Sequence, residues 1–365
     1  MYTIMHDFLV VGAGPAGSRF ARRAAEAGWD VLVFEQGTVG EPLACSGHVS
    51  TDVWEFTPDG AREDLLQNEI YGARFRLGGP ESDPYPFYKD EVVSNVIDRV
   101  GLDRWLADAA RDVGADLREH HTVTAVEEHS DHVAVTVRGP DGVETHRARM
   151  VAGADGPRSK VRSEVGLPEP GELLHGVLGF EEVADDQDFV DVHLTVPGFF
   201  AWRIPRGAAG VEYGLAAEPG AEVGEWFDAF TDSYGAATTN RCSGLIPIGP
   251  PDSVTSRRAF LLGDAAAQTK PFTGGGIRYG MVAADHAAET VDPRRPGTLS
   301  AYEAAWRSDL GREIRLGAWI RRAYSLPQTV QRVGLSLFAG EIGVHMDEPS
   351  TLFSREQLRA MLSRS

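Results

Sequence analysis

The sequence predicts an α/β fold in which a Rossmann-like nucleotide domain is interleaved with an antiparallel β-sheet domain and followed by C-terminal helices. Three observations carry that prediction. An apolar run near the start ends in a glycine-rich loop, DFLVVGAGPAG from Asp7 to Gly17, with a helical stretch and a second apolar run behind it. A second such loop, PFTGGGIRYG from Pro271 to Gly280, follows the apolar run AFLLG much later in the chain. Between them, residues 175–218 form four segments rich in β-branched and aromatic residues, broken by Pro and Gly, a pattern of antiparallel strands. A chain of 365 residues that is 42% hydrophobic buries a sizeable core, and it exceeds the usual size of one compact unit. The expected division is residues 1–70, 92–165 and 245–298 for the nucleotide domain, 71–91 and 166–244 for the sheet domain, and 299–365 for the helices.

The run Asp7–Val11 reads as a strand, the stretch to Ala27 as a helix, and DVLVFE, ending on Glu35, as a second strand. In such a unit glycine serves three purposes: a tight turn at Gly12, close approach of amides to a pyrophosphate at Gly14, and helix-on-strand packing at Gly17. Ala16 completes the loop, and the helix N-terminus faces the phosphates. Glu35 lies 18 residues after Gly17 at the strand tip, with Gln36 beside it. There a carboxylate accepts hydrogen bonds from an adenosine ribose and disfavours a 2′-phosphate, so the cofactor is FAD or NAD rather than NADP.

Two later signatures decide between them. RMVAGADGPRSKVR (149–162) reads as a strand ending in Gly153, Ala154, Asp155 and Gly156, with Ser159, Lys160 and Arg162 opening a helix. In RAFLLGDAAAQTKPFTGGGIRYG (258–280) a strand reaches Gly263 and Asp264, a loop runs from Pro271 to Gly276, and a helix begins near Ile277. Asp264 is placed to bond ribitol or ribose hydroxyls, and the amides of Gly274, Gly275 and Gly276 at a helix N-terminus suit an electron-rich flavin ring or a phosphate. Two loops then serve one long cofactor, FAD, the first holding its ADP half and the second its flavin half. The fold becomes a Rossmann-like FAD-binding domain interleaved with an antiparallel β-sheet substrate domain, plus C-terminal helices.

The glycine loop, GADG-x-x-S-x-x-R, and GDAA followed by P-x-x-G-G-G resemble the aromatic-hydroxylase branch of FAD oxidoreductases. Within that branch the chain resembles the geranylgeranyl reductase family, including the archaeal digeranylgeranylglycerophospholipid reductases. LACSGHVS (43–50), FFAWRIP (199–205) and KPFTGGGI (270–277) are similar to that family's segments. The resemblance covers roughly residues 7–290 and departs at Arg278, where relatives tend to carry an aromatic residue, and in the C-terminal segment of roughly 65 residues, which matches no motif. It implies that Cys45 and Gly47 lie near the flavin ring, that Arg99 lies near the FAD phosphates, and that Asp155, Gly156, Gly263, Pro271 and Ile277 belong to the cofactor site. It also implies a role for Trp202 and Pro205 in the substrate wall.

Phe199, Phe200, Trp202, Ile204 and Tyr213 supply either that wall, for a long isoprenoid chain, or the core of the sheet. Phe200 and Trp202 share parity along a strand and so face one side. The stretch 71–88 is expected to add a strand pair beside them. Arg99 precedes a helix whose apolar positions Leu102, Trp105, Leu106 and Ala109 recur at helical spacing; its other reading is a surface arginine.

Composition narrows the class of function. Acidic residues outnumber basic ones 54 to 35, for a formal charge of −19, and only Lys89, Lys160 and Lys270 are lysines. Nucleic acid is therefore not an expected partner, and a carboxylate-rich, lysine-poor surface fits a salt-loving source. Cys45 and Cys242 fit neither a disulfide framework nor a zinc or CxxC site, so no metal is expected. The N-terminus has no basic leader and no window approaches a membrane span, so a cytoplasmic protein is expected. The stretch 300–338 reverses the charge bias, with six arginines against Glu303, Asp309 and Glu313. It reads either as a helix packed on the FAD domain or as a peripheral membrane contact.

The function expected is an FAD-dependent reductase saturating C=C bonds of geranylgeranyl chains, on archaeal ether-lipid precursors. The alternatives are reduction of a prenylquinone or geranylgeranyl diphosphate, an FAD-dependent aromatic monooxygenase, and a non-catalytic flavoprotein. An isolated trisubstituted alkene needs a proton at one carbon while reduced FAD delivers hydride to the other, with water largely excluded. Cys45 is the candidate proton donor or site-tuning thiol, its other reading being a small buried residue, and His48 is a second candidate whose other reading is structural. The electron donor is either NAD(P)H or a ferredoxin-like protein.

Overall fold

Strands β1 (Met5–Val11) and β2 (Val31–Phe34) are apolar, β1 over its last four residues and β2 throughout, because these residues are buried within the sheet they enter. The computed structural model describes residues 4–43, 45–340 and 347–353. Between β1 and β2 runs α1 (Pro15–Glu26), with Pro15 at its first position and Gly14 at its N-cap. The chain continues through β3 (His48–Ser50), α2 (Ala61–Leu65), β4 (Leu66–Ile70), β5 (Gly72–Arg76), β6 (Tyr85–Tyr88), β7 (Ser94–Ile97) and α3 (Arg99–Asp112). Next come β8 (Asp116–Arg118), β9 (Thr122–Glu128), β10 (Val133–Gly139), β11 (Gly142–Gly153) and α4 (Lys160–Glu164). The second half comprises β12 (Glu172–Glu181), β13 (Phe189–His193), β14 (Ala201–Pro205), β15 (Val211–Ala217), α5 (Val223–Tyr234), β16 (Thr239–Ile248) and β17 (Ala259–Leu261). Helices α6 (Ile277–Thr290), α7 (Leu299–Arg321) and α8 (Gln328–Phe338) complete it.

One sheet has the order β8-β2-β1-β11-β10-β9, with β17 on the other side of β11. Strands β8, β2, β1, β11 and β17 pair in parallel, and β9 to β11 form an antiparallel meander. Its core joins Phe8, Phe20 and Phe260 edge to face at ring separations of 5.1–6.3 Å. The first half of α7 closes that core with Tyr302, Trp306, Leu310 and Ile314, so the helix-on-domain reading holds for this part of the C-terminal segment.

The second sheet has the order β16-β12-β15-β14-β13-β5-β6. It differs from the antiparallel sheet expected in one pairing: β13 and β5 run parallel, because β5 arrives from the FAD side rather than from a neighbouring hairpin. β5 and β6 do pair as a hairpin. Strand β16 runs to Ile248, past the boundary expected at residue 244. A small third sheet, β3-β7-β4, joins the two layers. Part of the 299–365 segment, residues 341–346 and 354–365, lies outside the described residues.

Candidate active site

A cavity of about 1170 Å3 opens between the two large sheets. Gly14, Ala16, Gly156, Gly263, Asp264, Gly274, Gly275, Gly276 and Ile277 border it from the nucleotide layer, Cys45 from the loop before β3, and Arg99 from the start of α3. Phe200, Trp202 and Ile204 border it from the second sheet.

The three glycines of the first loop divide the work as their spacing predicts. Gly12 has φ +97, and a Cβ there would come within 2.3 Å of the Ala154 carbonyl oxygen. At Gly17 a Cβ would lie 2.0 Å from the Gly12 oxygen, whereas at Gly14 nothing lies within 4 Å. Gly14 therefore fronts open space at the start of α1. Glu35 holds this loop in shape: its carboxylate accepts from Ala13 N at 2.8 Å and Gly37 N at 3.1 Å. Glu35 and the exposed Gln36 stand outside the cavity wall.

Helix α6 repeats this arrangement on the other side. Its N-cap is Gly276, as that of α1 is Gly14, and neither has a side-chain cap. Two helix N-termini with unsatisfied amides thus meet one cavity, each a site for an electron-rich group. A Cβ at Gly276 would lie 2.7 Å from Asp264 Oδ1, and one at Gly275 2.8 Å from Lys270 Cε. The Arg99 Nε is buried without a hydrogen-bond partner among the described residues. Two open amide cradles, an unpartnered guanidinium nitrogen and a carboxylate at the wall fit a long, anionic, flavin-bearing nucleotide.

Some expected cofactor residues stand elsewhere. Asp155 does not border the cavity: its oxygens accept from Ser159 Oγ at 2.6 Å and Val161 N at 3.0 Å, so it fastens the start of α4. Arg162, buried at 2% exposure, donates to the Ala265 carbonyl at 3.0 Å and ties the GADG turn to GDAA. Pro271 packs against α7 at Gly317, and Gly47 lies under the Ile97 carbonyl, where a Cβ would come within 2.2 Å. These four shape the site from behind.

Burial controls the electrostatics. The Cys45 thiol is pushed above its ordinary value by burial and by Asp264, with Arg99 opposing, so it keeps its proton. Arg99 stays cationic, since Asp103 at 2.5 Å and Cys45 outweigh the burial that opposes its charge. Asp264 is pushed up to about 6 by burial, with Arg99 pulling down. Burial and the Lys270 charge hold His48 at about 4; it is neutral, and its Nε2 lies 2.7 Å from Ser94 Oγ.

On the second sheet, Gly176 and Gly244 pair across β12 and β16 and border the cavity. Phe200 and Trp202 bound it, their rings 5.9 Å apart. Tyr213, expected in this wall, stands on the opposite face: it packs with Phe230 and Tyr234 of α5. In register it pairs with Arg203, not Trp202, and that alternation sends it away. Pro205 is also outside the cavity wall and ends β14 beside Asn68, which donates to its carbonyl at 3.1 Å.

Two acids escaped the sequence reading. Glu212, 1% exposed, accepts from Trp202 Nε1 at 2.8 Å. With Gly214 beneath the indole, where a Cβ would come within 2.3 Å of the ring, it lays Trp202 flat. Burial pushes its carboxyl up against the pull of Trp202, Ser46 and Arg206. Asp347 forms a buried ion pair with Lys270, and its carbonyl accepts from Tyr279 Oη at 2.6 Å. Burial raises the Asp347 carboxyl, but Lys270, Ser50 and Arg278 bring it below its ordinary value. No motif surrounds Asp347; its only forewarning was the rarity of its partner, one of three lysines. Arg278 is already faced by Asp52, Glu348 and Asp347 at 3.5, 3.7 and 3.9 Å.

Fold and site together define an FAD-dependent oxidoreductase whose cofactor bed opens onto an apolar chamber. FAD binding domain families match residues 7–150 and 92–241. The chain is 30% identical to digeranylgeranylglycerophospholipid reductase 1 of Methanopyrus kandleri, over 83% of this chain and 86% of that protein. It is also 30% identical to the digeranylgeranylglycerophospholipid reductase of Methanothrix thermoacetophila, over 84% of each. The chain belongs to this reductase family. In fold it is similar to a geranylgeranyl bacteriochlorophyll reductase-like protein of Thermoplasma acidophilum, with TM-score 0.84 and 23% identity over 98% of this chain and 96% of that one. The same fold serves p-nitrophenol 4-monooxygenase of Pseudomonas putida, with TM-score 0.72 and 17% identity over 99% and 97% of the two chains.

Proposed function

We propose that the protein saturates the C=C bonds of geranylgeranyl chains on archaeal ether-lipid precursors, with FAD as cofactor. The observation that carries this reading is the continuity of one cavity from the two glycine-capped helix N-termini to an aromatic and aliphatic wall on the second sheet. When bound, FAD supplies the hydride. The rest falls to the chain. Gly14 and Gly276 seat the cofactor, and Phe200, Trp202 and Ile204 hold the prenyl chain and exclude water. Cys45 holds a proton at the cavity wall, and the Arg99 cation beside it stabilises the thiolate left when that proton moves to the alkene. His48, neutral and bonded to Ser94, has a structural place.

We place the electron donor outside the chain, as NAD(P)H or a ferredoxin-like protein. What supports this is that the two glycine-capped helix N-termini, of α1 and α6, open onto one cavity, which the two halves of FAD would fill.

An anaerobic experiment tests the function. The flavin is reduced with dithionite, a geranylgeranyl phospholipid is added, and flavin reoxidation is followed alongside product mass. Reoxidation with gain of two hydrogens per double bond is expected. A flavin that stays reduced until oxygen enters, followed by oxygen transfer to an aromatic substrate, overturns the reading in favour of a monooxygenase. Parallel trials with a prenylquinone and geranylgeranyl diphosphate decide the head group.

A further inference from the structure

Helix α8 roofs the mouth of the cavity and has apolar residues on two faces. Gln331 and Leu335, one turn apart, border the cavity. Val333 and Leu337, also one turn apart, point outward at 59% and 67% exposure. The helix is moored at its ends: Gln328 donates to the Leu77 carbonyl at 2.5 Å, and Gly340 donates to the Pro86 carbonyl of β6 at 2.7 Å. Beside it, α7 presents Arg312, Arg315 and Trp319 on one exposed stripe that continues into Arg322, with Trp319 64% exposed.

Charge identifies what covers this surface. Acids make up 54 of 365 residues, yet no Asp or Glu occurs from Ile314 to Gly340, while Arg315, Arg321, Arg322 and Arg332 do. Arg321 is engaged with Glu172; the other three are exposed. A protein of net charge −19 whose chain carries no acid through residues 314–340, while keeping exposed arginines beside apolar side chains there, has built a complement to an anionic, apolar-cored surface. No described helix is long and apolar enough to cross a membrane, so the contact lies in the plane of the surface.

We infer that the α7–α8 elbow docks on an anionic lipid bilayer. Val333, Leu337 and Trp319 enter the headgroup boundary, the arginines meet lipid phosphates, and a chain passes from bilayer to cavity beneath α8. The purpose of this docking rests on the lipid-reductase reading; the docking itself is measured without turnover.

The FAD-loaded protein is floated with phosphatidylglycerol vesicles and with phosphatidylcholine vesicles. Flotation with the anionic vesicles is expected, and the double substitution Val333→Asp, Leu337→Asp should cut the bound fraction roughly tenfold, with melting temperature and bound FAD unchanged. Should that variant misfold, Arg315→Glu with Arg332→Glu replaces it and must abolish the preference for anionic vesicles. Wild-type protein that stays in the dense fraction, or variants that float equally well, overturns the inference. So does a concentration-dependent dimer in sedimentation, dispersed by the Asp substitutions, without flotation: the surface would then bind a second copy of the chain. Turnover of detergent-dispersed substrate by the Val333→Asp, Leu337→Asp variant should match wild type. Flotation by a wild type that reduces no prenyl substrate would sink the functional reading and leave the docking standing.

Discussion

Cys45 and Asp264 face one cavity and both hold their protons more tightly than in water, for the same reason: each is buried with only Arg99 to favour its charged form. For a thiol that donates a proton, this is the useful state, and it persists to about pH 9, the ordinary value from which burial raises it. Cys45→Ala is expected to lower kcat by about 10²–10⁴, the usual worth of a positioned acid, with FAD still bound. Unchanged single-turnover rates would end the assignment. Asp264 makes a prediction of opposite kind. Its folded value of about 6 lies above its ordinary 3.8, so the folded apoprotein binds this proton more tightly than the unfolded chain. The stability it contributes is complete below pH ~4 and is lost as pH rises through ~6, by about 3 kcal/mol. Asp264→Asn should flatten that stretch of the apoprotein's stability profile; melts of both proteins from pH 4 to 7 that run parallel would refute it.

At the scale of elements, the turn from β1 into α1 separates folding from binding. Gly17→Ala drives a methyl to 2.0 Å from a backbone oxygen, which should cost about 1–3 kcal/mol of stability. Gly14→Ala meets nothing within 4 Å and already has an extended backbone at φ −69, so it should cost about 0.5–1 kcal/mol, the difference between Gly and Ala at an N-cap. Its methyl projects where the pyrophosphate would lie, so FAD affinity should fall. Denaturant curves and flavin titrations of the two variants check the contrast, which fails if Gly14→Ala binds FAD as wild type does. Spacing alone made these roles legible, because the positive φ of Gly12, the open N-cap of Gly14 and the packing of Gly17 on Gly12 are set within one local unit, even though Ala154 also closes over Gly12. Spacing did not reveal which face of β15 meets the cavity: strand parity is local, but register with β14 is not. Hence Phe200 and Trp202 were read together correctly as neighbours on one face, while Tyr213 was placed on the wrong one.

Across the whole molecule, the charge of −19 works against compactness, and only the α7–α8 elbow stands apart from it. Raising salt from about 0.01 M to about 1 M shortens the screening length from about 30 Å to about 3 Å. Self-repulsion should fall and the melting temperature should rise across that range. A melting temperature that falls instead would mean that the many arginine–carboxylate pairs outweigh the net repulsion.

The sequence by itself determined the class of fold, the FAD cradle and its two loops, and an aromatic strand for the substrate. Each is written in residues adjacent along the chain, where backbone freedom, helix ends and strand alternation act locally. Tertiary structure alone decided that Asp155 fastens the start of α4 and Pro271 packs against α7, that Glu212 bonds the Trp202 indole, and that Asp347 reaches Lys270 from 77 residues away. Those outcomes depend on register between strands and on which buried charges meet after the chain has closed its long loops. Burying an unpaired charge is so costly that such partners must be found, but nothing local to either one names the other.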